Sequence, residues 1–248
     1  LSCMLWQPMT SATLAFEYRK IFEEWAEITG CKADIIPGVL NNVDIQGHDF
    51  FIICMGGPGS AILSGIGHAL SFKGSDTLYV MEALDFAYSP GESLKVCSVP
   101  ATEHSVMCAG GDGEDEFETF KRLITEVYPT GIVSIVSDTW DLWKVLTDYL
   151  PRLKDEIMAR DGKVVIRPDS GNPADIICGL NSSGDNIHKM DTASDAEKKG
   201  VVELLWETFG GTENEEGYKV LDSHVGCIYG DSITRDRAEN ICSRLAHK

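Results

Sequence analysis

The chain has 248 residues, a hydrophobic fraction of 43% and a mean hydropathy of −0.08, values typical of an ordinary soluble globular protein. Its formal net charge of −18 argues against nucleic acid or an anionic membrane as a partner. A phosphorylated substrate is not excluded, because a local cluster of Arg and Lys can outweigh the global charge.

The cysteines and the first residues of the chain indicate in which cellular compartment the protein lies. The eight cysteines are scattered and form no C-x-x-C pair, so we expect buried free thiols and a cytoplasmic location. No stretch approaches the roughly 20 apolar residues of a membrane span. The start, LSCMLWQPMT, has neither the features of a signal peptide nor an initiator Met. We expect the chain to be the central portion of a longer protein.

Periodicity predicts alternating strands and helices along the chain. Short apolar runs predict strands at 3–6, 43–50, 68–72, 94–99, 131–136, 163–166 and 225–229. Apolar residues at helical spacing predict helices at 12–29, 60–67, 75–88, 114–128, 140–149, 193–209 and 234–247. Asp138-Thr139 and Asp231-Ser232 are predicted to cap the helices that follow them.

This alternation, repeated about seven times, indicates a parallel α/β fold, either a doubly wound sheet or a barrel. Polar motifs follow nearly every strand, which favours a barrel, because a doubly wound sheet gathers its ligand-binding residues at one switch point. We predict a single barrel-like (β/α) domain over residues 1–248 with about seven units, incomplete as a barrel. Residues 181–200 are polar and rich in turn formers, which predicts an exposed and mobile excursion.

The stretch VVIRPDSGNP changes from a β-branched strand to polar residues at Arg167. A turn needs Gly, Asn or Pro, but it needs neither a cation nor an anion. The Arg167 guanidinium offers a fork of donors suited to phosphate, and Asp169 can accept from sugar hydroxyls. The alternative is an Arg167–Asp169 salt bridge that closes the turn.

His104 follows the fourth predicted strand, beside Glu103. A histidine there could bind phosphate, act as a general acid, become phosphorylated, or have a structural role only. Asp138 has a simpler explanation as a helix cap, and Asp231 shares that ambiguity. No metal-ligand spacing is found, and the glycine-rich residues 55–61 lack the Lys-Ser/Thr of a phosphate-binding loop.

Several motifs occur together in a specific order: HDF, FKGSD, SVPATEHS, VSDTWD, IRPDSGNP and GD. In this order the chain resembles the nicotinamide phosphoribosyltransferase family, type II phosphoribosyltransferases of the nicotinate phosphoribosyltransferase superfamily. The resemblance implies transfer of phosphoribose from phosphoribosyl pyrophosphate to nicotinamide, giving nicotinamide mononucleotide and pyrophosphate in NAD salvage. It also implies Mg²⁺ bound with phosphoribosyl pyrophosphate, ATP as a facultative phosphate donor, and a homodimer in the complete protein.

The resemblance also implies residue roles. Phe50 would stack on the pyridine ring, Asp76 would bind the carboxamide, and Ser98 would contact substrate. His104 would be phosphorylated by ATP. The remaining assignments concern the sugar and phosphates, with Ser137 and Asp141 lining the channel, Arg167 and Asp169 gripping ribose and phosphates, and Gly230 and Asp231 beneath the ribose.

One position departs from the family pattern. Three residues past Phe50 the family has an arginine that contacts phosphate, whereas this chain has Ile53. Two alternatives therefore stay open, a nicotinate phosphoribosyltransferase or a catalytically inactive nucleotide-binding fragment. Asp76 discriminates between the two bases, since its charge would repel nicotinate.

Overall fold

A computed structural model describes residues 2–31, 34–36, 40–88, 96–181 and 187–248. The chain divides into two compact units, Leu1–Ser98 and Val99–Lys248. Parts of the predicted strand 94–99 and of the polar segment 181–200 lie outside the described residues. The prediction of a single domain stays a prediction.

The first unit is mainly helical. A 3₁₀ turn, Val43–Ile45, precedes its third strand. Its helices and strands are α1 (Ser2–Thr29), β1 (Asp34–Ile36), β2 (Leu40–Asn41), β3 (His48–Asp49), α2 (Phe51–Cys54), α3 (Pro58–Ala69), β4 (Gly74–Ser75) and α4 (Val80–Ala87).

Helices α1 and α3 are joined by polar side-chain contacts. Gln7 Nε2 donates to Ser60 Oγ at 2.7 Å, and Ser11 Oγ donates to the Ser64 carbonyl at 2.6 Å. Strands β3 and β4 are parallel, with His48 opposite Gly74. Phe50 and Asp76 directly follow the C-terminal ends of these two strands.

The second unit contains the longest strands. Two π-helical segments, Leu123–Val127 and Val145–Tyr149, extend its helices. Its elements are α5 (His104–Ala109), α6 (Glu116–Arg122), β5 (Gly131–Val136), α7 (Leu142–Lys144), α8 (Leu150–Arg152), α9 (Lys154–Met158), β6 (Gly162–Arg167), α10 (Pro173–Cys178), α11 (Ile187–Met190), α12 (Asp195–Lys199), α13 (Val201–Phe209), β7 (Gly211–Glu213), β8 (Lys219–Leu221), β9 (Val225–Cys227) and α14 (Arg235–Leu245).

The sheet of this unit has the order β5–β6–β9, and all of its strands are parallel. Val133, Ile135, Val164 and Ile166 are fully buried on it, as expected for a parallel sheet covered on both faces. Buried Arg160 donates to the carbonyls of Ile124, Tyr128 and Gly131 and so ties the end of the first π-helical segment to the start of β5. These contacts hold the N-terminal edge of the sheet, opposite the edge at which Arg167 lies.

The predicted α/β class with parallel strands is confirmed, but several elements differ. The predicted strand 3–6 lies inside helix α1, because a short apolar run beside an amphipathic helix simply continues that helix. The predicted strand 68–72 is the end of α3 and a turn, and the strand follows at β4. The exposed hairpin β7–β8 was not predicted, since its strands are polar and contain glycine.

Among the described residues the strands form separate sheets that do not close into a barrel. The described part of the polar segment 181–200 contains helices α11 and α12. Ser194 and Glu197 form a capping box that starts α12. No helix in the described part of the chain is long and apolar enough to cross a bilayer.

Candidate active site

Arg167 ends strand β6 and is only 3% exposed. One of its terminal nitrogens donates to the Thr102 carbonyl at 3.2 Å and contacts Glu103 Oε1 at 3.3 Å. A buried cation requires such partners, because its desolvation is costly when it is unpaired. The contacts hold the guanidinium in one direction at the C-terminal edge of the sheet.

His104 begins helix α5 and lies against carboxylates that follow β5 and β6. Its Nε2 is 3.5 Å from Asp169 Oδ2 and 3.9 Å from Asp138 Oδ1, and its Nδ1 is 3.2 Å from Thr139 Oγ1. A carboxylate only accepts hydrogen bonds, so a proton on Nε2 would face both of these acceptors. The side chain is 42% exposed and can therefore be reached from solvent.

Asp138 connects the ends of β5 and β6. Its Oδ2 accepts a hydrogen bond from the Asp169 backbone N–H at 2.7 Å. The other oxygen of each carboxylate, Asp138 Oδ1 and Asp169 Oδ1, is buried and accepts no hydrogen bond from the described residues. A buried acceptor without a donor is costly, so these oxygens suit a ligand hydroxyl or a cation.

Gly230 follows β9 and lies directly against these side chains. A Cβ at this position would be 2.6 Å from Asp169 Oδ1 and 3.2 Å from Arg167 Nε. A larger residue would therefore displace the carboxylate. We refer to His104, Asp138, Arg167, Asp169 and Gly230 as the β6 cluster.

Tyr229 lies near enough to the carboxylates of the β6 cluster to feel their charge. Its hydroxyl donates to the Gly171 carbonyl at 3.0 Å. Burial raises the pKa of Tyr229 to about 12, and the negative charges of Asp138, Asp169 and Asp231 act in the same direction. The phenol therefore stays neutral and acts as a hydrogen-bond donor.

A second group of polar residues lies in the first unit, where β3 and β4 end. Asp76 Oδ1 contacts His48 Nε2 at 3.0 Å and accepts a hydrogen bond from Ser98 Oγ. The rings of His48 and Phe50 are 5.3 Å apart, tilted by 39°. We refer to His48, Phe50, Asp76 and Ser98 as the β4 cluster.

Hydrogen bonds of the backbone and of buried side chains hold the residues of the β4 cluster in place. The Asp76 N–H donates to the Asp49 carbonyl at 3.0 Å, and Thr77 Oγ1 donates to Asp49 Oδ1 at 2.5 Å. His68 Nε2 contacts the Gly74 carbonyl at 3.1 Å. Burial lowers the pKa of His68, although the nearby Asp49 carboxylate opposes the shift, so the ring is a neutral structural donor beneath β4.

Comparison with known proteins supplies the family. A sequence model described as "Nicotinate phosphoribosyltransferase (NAPRTase) family" matches residues 58–248. The chain belongs to this family. It is 49% identical to a nicotinamide phosphoribosyltransferase of Acinetobacter baylyi, over 99% of this chain and 46% of the relative. It is 36% identical to one of Mycoplasma pneumoniae, over 98% of this chain and 48% of the relative. The chain thus spans about half the length of the relatives it matches.

Within this family member, seven of the ten predicted site residues fall into the two clusters. His104, Arg167, Asp169 and Gly230 lie together in the β6 cluster. Phe50, Asp76 and Ser98 lie together in the β4 cluster. Polar residues at strand ends pointed to His104, Arg167, Asp169 and Asp76, whereas Phe50, Ser98 and Gly230 came from the family resemblance. Their roles toward substrate stay predictions.

The capping prediction for Asp138 is wrong. Asp141 caps helix α7, accepting from the N–H groups of Trp143 and Lys144 at 3.0 and 3.1 Å. Ser137 is fully buried and its Oγ donates to the Ile135 carbonyl at 2.6 Å. Both residues thus have structural hydrogen bonds, and a channel-lining role for them stays a prediction.

The cap of α14 is Thr234 rather than Asp231-Ser232, because the Thr234 hydroxyl oxygen accepts the Arg237 N–H at 3.3 Å. Asp231 is exposed and accepts from Ser232 Oγ at 2.6 Å. Ile53, at the place of the family's expected arginine, is 63% exposed on α2.

Sequence reasoning missed Glu116. Its side chain is 3% exposed, and neither carboxylate oxygen has a hydrogen-bond partner among the described residues. Burial raises its pKa to about 7, with Lys144 opposing the shift and Asp141 and Asp138 adding to it. Nothing in its surroundings in the sequence, GDGEDEFETF, distinguished it from a solvated acidic helix start.

Proposed function

We propose that this chain carries the base and sugar-phosphate residues of a pentosyltransferase. The reaction transfers phosphoribose from phosphoribosyl pyrophosphate to nicotinamide and gives nicotinamide mononucleotide and pyrophosphate. The observation that carries the proposal is that a carboxylate, Asp76, and an aromatic ring, Phe50, both contact His48. The family membership and the printed name of the relatives support it.

The β4 cluster is assigned to the base. An aromatic ring such as Phe50 gains from stacking on a flat heterocycle. The Asp76 carboxylate accepts from the amide N–H of nicotinamide but repels the carboxylate of nicotinate. Ser98, which donates to Asp76, would contact the substrate from the same side.

The β6 cluster is assigned to the sugar and its phosphates. In the reaction the pyridine nitrogen forms a bond to C1 of ribose while the bond from C1 to the pyrophosphate oxygen breaks. Arg167 would stabilise charge on the phosphates, and Asp169, above Gly230, would accept from ribose hydroxyls. Ser137 and Asp141 would line the channel to this site, and Asp231 would lie with Gly230 beneath the ribose.

Mg²⁺ is assigned as an ion carried by phosphoribosyl pyrophosphate. No group of three or more His, Cys, Asp or Glu among the described residues forms a cage for a metal. The buried oxygens Asp138 Oδ1 and Asp169 Oδ1 fit Mg²⁺ that is held by one or two carboxylates and otherwise by substrate phosphates. The ion would neutralise charge on the leaving pyrophosphate.

ATP is assigned as a facultative donor to His104. The γ-phosphoryl group would transfer to a ring nitrogen, ADP would leave, and the imidazole would lose its proton. The phosphoryl group would then lie near Asp138 and Asp169, which approach the ring to 3.9 and 3.5 Å. Repulsion between these negative charges would favour its later hydrolysis to phosphate.

The proposal also includes a barrel-like domain, a homodimer and a cytoplasmic location. The parallel order β5–β6–β9 with polar residues after the strands supports a barrel-like domain. We assign a homodimer from the family resemblance. The free cysteines in the described part of the chain support a reducing, cytoplasmic compartment.

The test uses a completed chain, in which the segments of the Acinetobacter baylyi relative that lie outside the matched region flank these 248 residues. Product formation from nicotinamide and from nicotinate is followed by chromatography with phosphoribosyl pyrophosphate and Mg²⁺. We expect kcat/KM to favour nicotinamide. Asp76→Asn should reduce that preference by about 10-fold or more, because it removes the charge that accepts the amide and repels the acid.

Asp222→Asn is the matched control, since Asp222 also pairs with a histidine, His224, at 2.6 Å, and lies outside both clusters. It should leave the preference unchanged. A completed chain that prefers nicotinate would support the second candidate, a nicotinate phosphoribosyltransferase, which the name of the family model favours. Absence of transfer to either base would overturn the proposed function.

A further inference from the structure

His48 contacts both residues assigned to the base. Its Nε2 lies 3.0 Å from Asp76 Oδ1, and its ring is 5.3 Å from that of Phe50. The side chain is 14% exposed, so both contacts are largely shielded from water. Neither the family comparison nor the site residues predicted from the sequence assign a role to this histidine.

The direction of the hydrogen bond follows from the chemistry of the partners. The Asp76 carboxylate only accepts, so His48 Nε2 is the donor. Ser98 Oγ donates to the same oxygen. Two donors that converge on one carboxylate oxygen restrict the rotation of that carboxylate.

The backbone is arranged to admit this ring. His48 pairs with Gly74 across the parallel strands β3 and β4. A Cβ at position 74 would be 2.6 Å from His48 Nδ1 and 2.9 Å from the Gly47 carbonyl. Glycine at this position therefore allows the imidazole to lie across β4 and reach Asp76.

We infer that His48 is a positioning residue for base selection: it orients the Asp76 carboxylate toward an amide N–H and supports the Phe50 ring. The inference rests on the proposed function. It implies that the site prefers a neutral carboxamide, which donates a hydrogen bond, over the corresponding acid. Loss of the His48 donor should weaken that preference even though Asp76 is still present.

The experiment compares His48→Phe and His48→Gln in the completed chain. Phenylalanine keeps a ring against Phe50 but removes the donor, whereas the glutamine amide can still donate to Asp76. We expect His48→Phe to raise KM for nicotinamide by about 10- to 100-fold and to lower the amide preference. KM for phosphoribosyl pyrophosphate should stay unchanged, and glutamine should restore most of the loss.

His224→Gln is the control, because this histidine also contacts an aspartate but lies in neither cluster; it should change neither KM. Equal defects in the Phe and Gln variants, or a Phe variant with unchanged KM and preference, would overturn the inference. If the Phe variant does not fold, His48→Asn replaces it. Its shorter amide falls short of Asp76, so Asn and Gln variants with the same KM would also overturn it.

The order of measurements separates the two ideas. The unaltered completed chain is assayed first, and the proposed function fails if no product forms. If it is active and Asp76→Asn alters the base preference while the His48 variants do not, the proposed function stands and the inference about His48 fails.

Discussion

Some charged side chains of this molecule are buried away from water and have carboxylate oxygens with no hydrogen-bond partner among the described residues. Glu116 is the clearest case, with both oxygens buried and unpartnered among the described residues. Its raised pKa means that the folded chain binds a proton which the unfolded chain releases. Folding stability should therefore fall as pH rises from about 4.5, the ordinary value, to about 7.

Glu116→Gln tests this linkage, because glutamine has the shape of the protonated acid and does not titrate. At pH 8 the variant should be more stable than the unaltered chain by roughly 1–3 kcal/mol, and at pH 4.5 the two should be nearly equal. Urea denaturation at both pH values measures the difference. Glu118→Gln, an exposed position on the same helix, is the control; an equal gain there would show that general charge reduction is responsible.

At the scale of elements, close pairing of β3 and β4 depends on Gly74. Gly74→Ala would place a methyl group within 2.6 Å of the His48 ring, so the ring or the strand must move. We expect a loss of about 1–3 kcal/mol in the free energy of unfolding and a raised KM for nicotinamide in the completed chain.

Gly59→Ala serves as the control for this prediction. Gly59 lies in the first turn of α3, and an added Cβ meets nothing within 4 Å. Alanine there should be neutral or slightly stabilising, since it favours helix more than glycine does. If both alanine variants behave alike, the pairing with His48 has no energetic importance.

The sequence predicted strands well where β-branched residues cluster. The predicted strand 131–136 has the bounds of β5, and β6 extends only one residue beyond its prediction at each end, because buried parallel strands are continuous apolar runs. The run at 3–6 failed, since so short a segment does not distinguish strand from helix. Polar strand ends and the family resemblance together located both clusters, but the direction of side chains such as Asp138 depends on tertiary contacts that no local pattern contains.

At the scale of the whole molecule, the net charge of −18 opposes compaction through self-repulsion. Added NaCl screens charges beyond a Debye length of about 10 Å at 0.1 M. We therefore expect Tm to rise as NaCl increases from about 0.02 to about 0.5 M, measured by differential scanning calorimetry.

A variant with glutamine at Glu114, Glu118 and Glu126, which are exposed, should show a higher Tm at low salt and a smaller rise with salt. Choline chloride at equal ionic strength separates screening from specific sodium binding. A Tm that does not change with salt in either protein would mean that the acidic surface imposes no net repulsion.

Cys108 is exposed and can therefore be labelled with a fluorescent dye. Among the cysteine side chains that the structure describes, Cys108 is exposed, whereas burial raises the pKa values of Cys178, Cys227 and Cys242 to about 11 or 12. A thiol reacts as its thiolate, so those three are poor targets for a maleimide dye. Cys108 lies four residues after His104 on α5, on the same face of the helix. A dye attached there would report, through its emission, on anions that arrive beside His104.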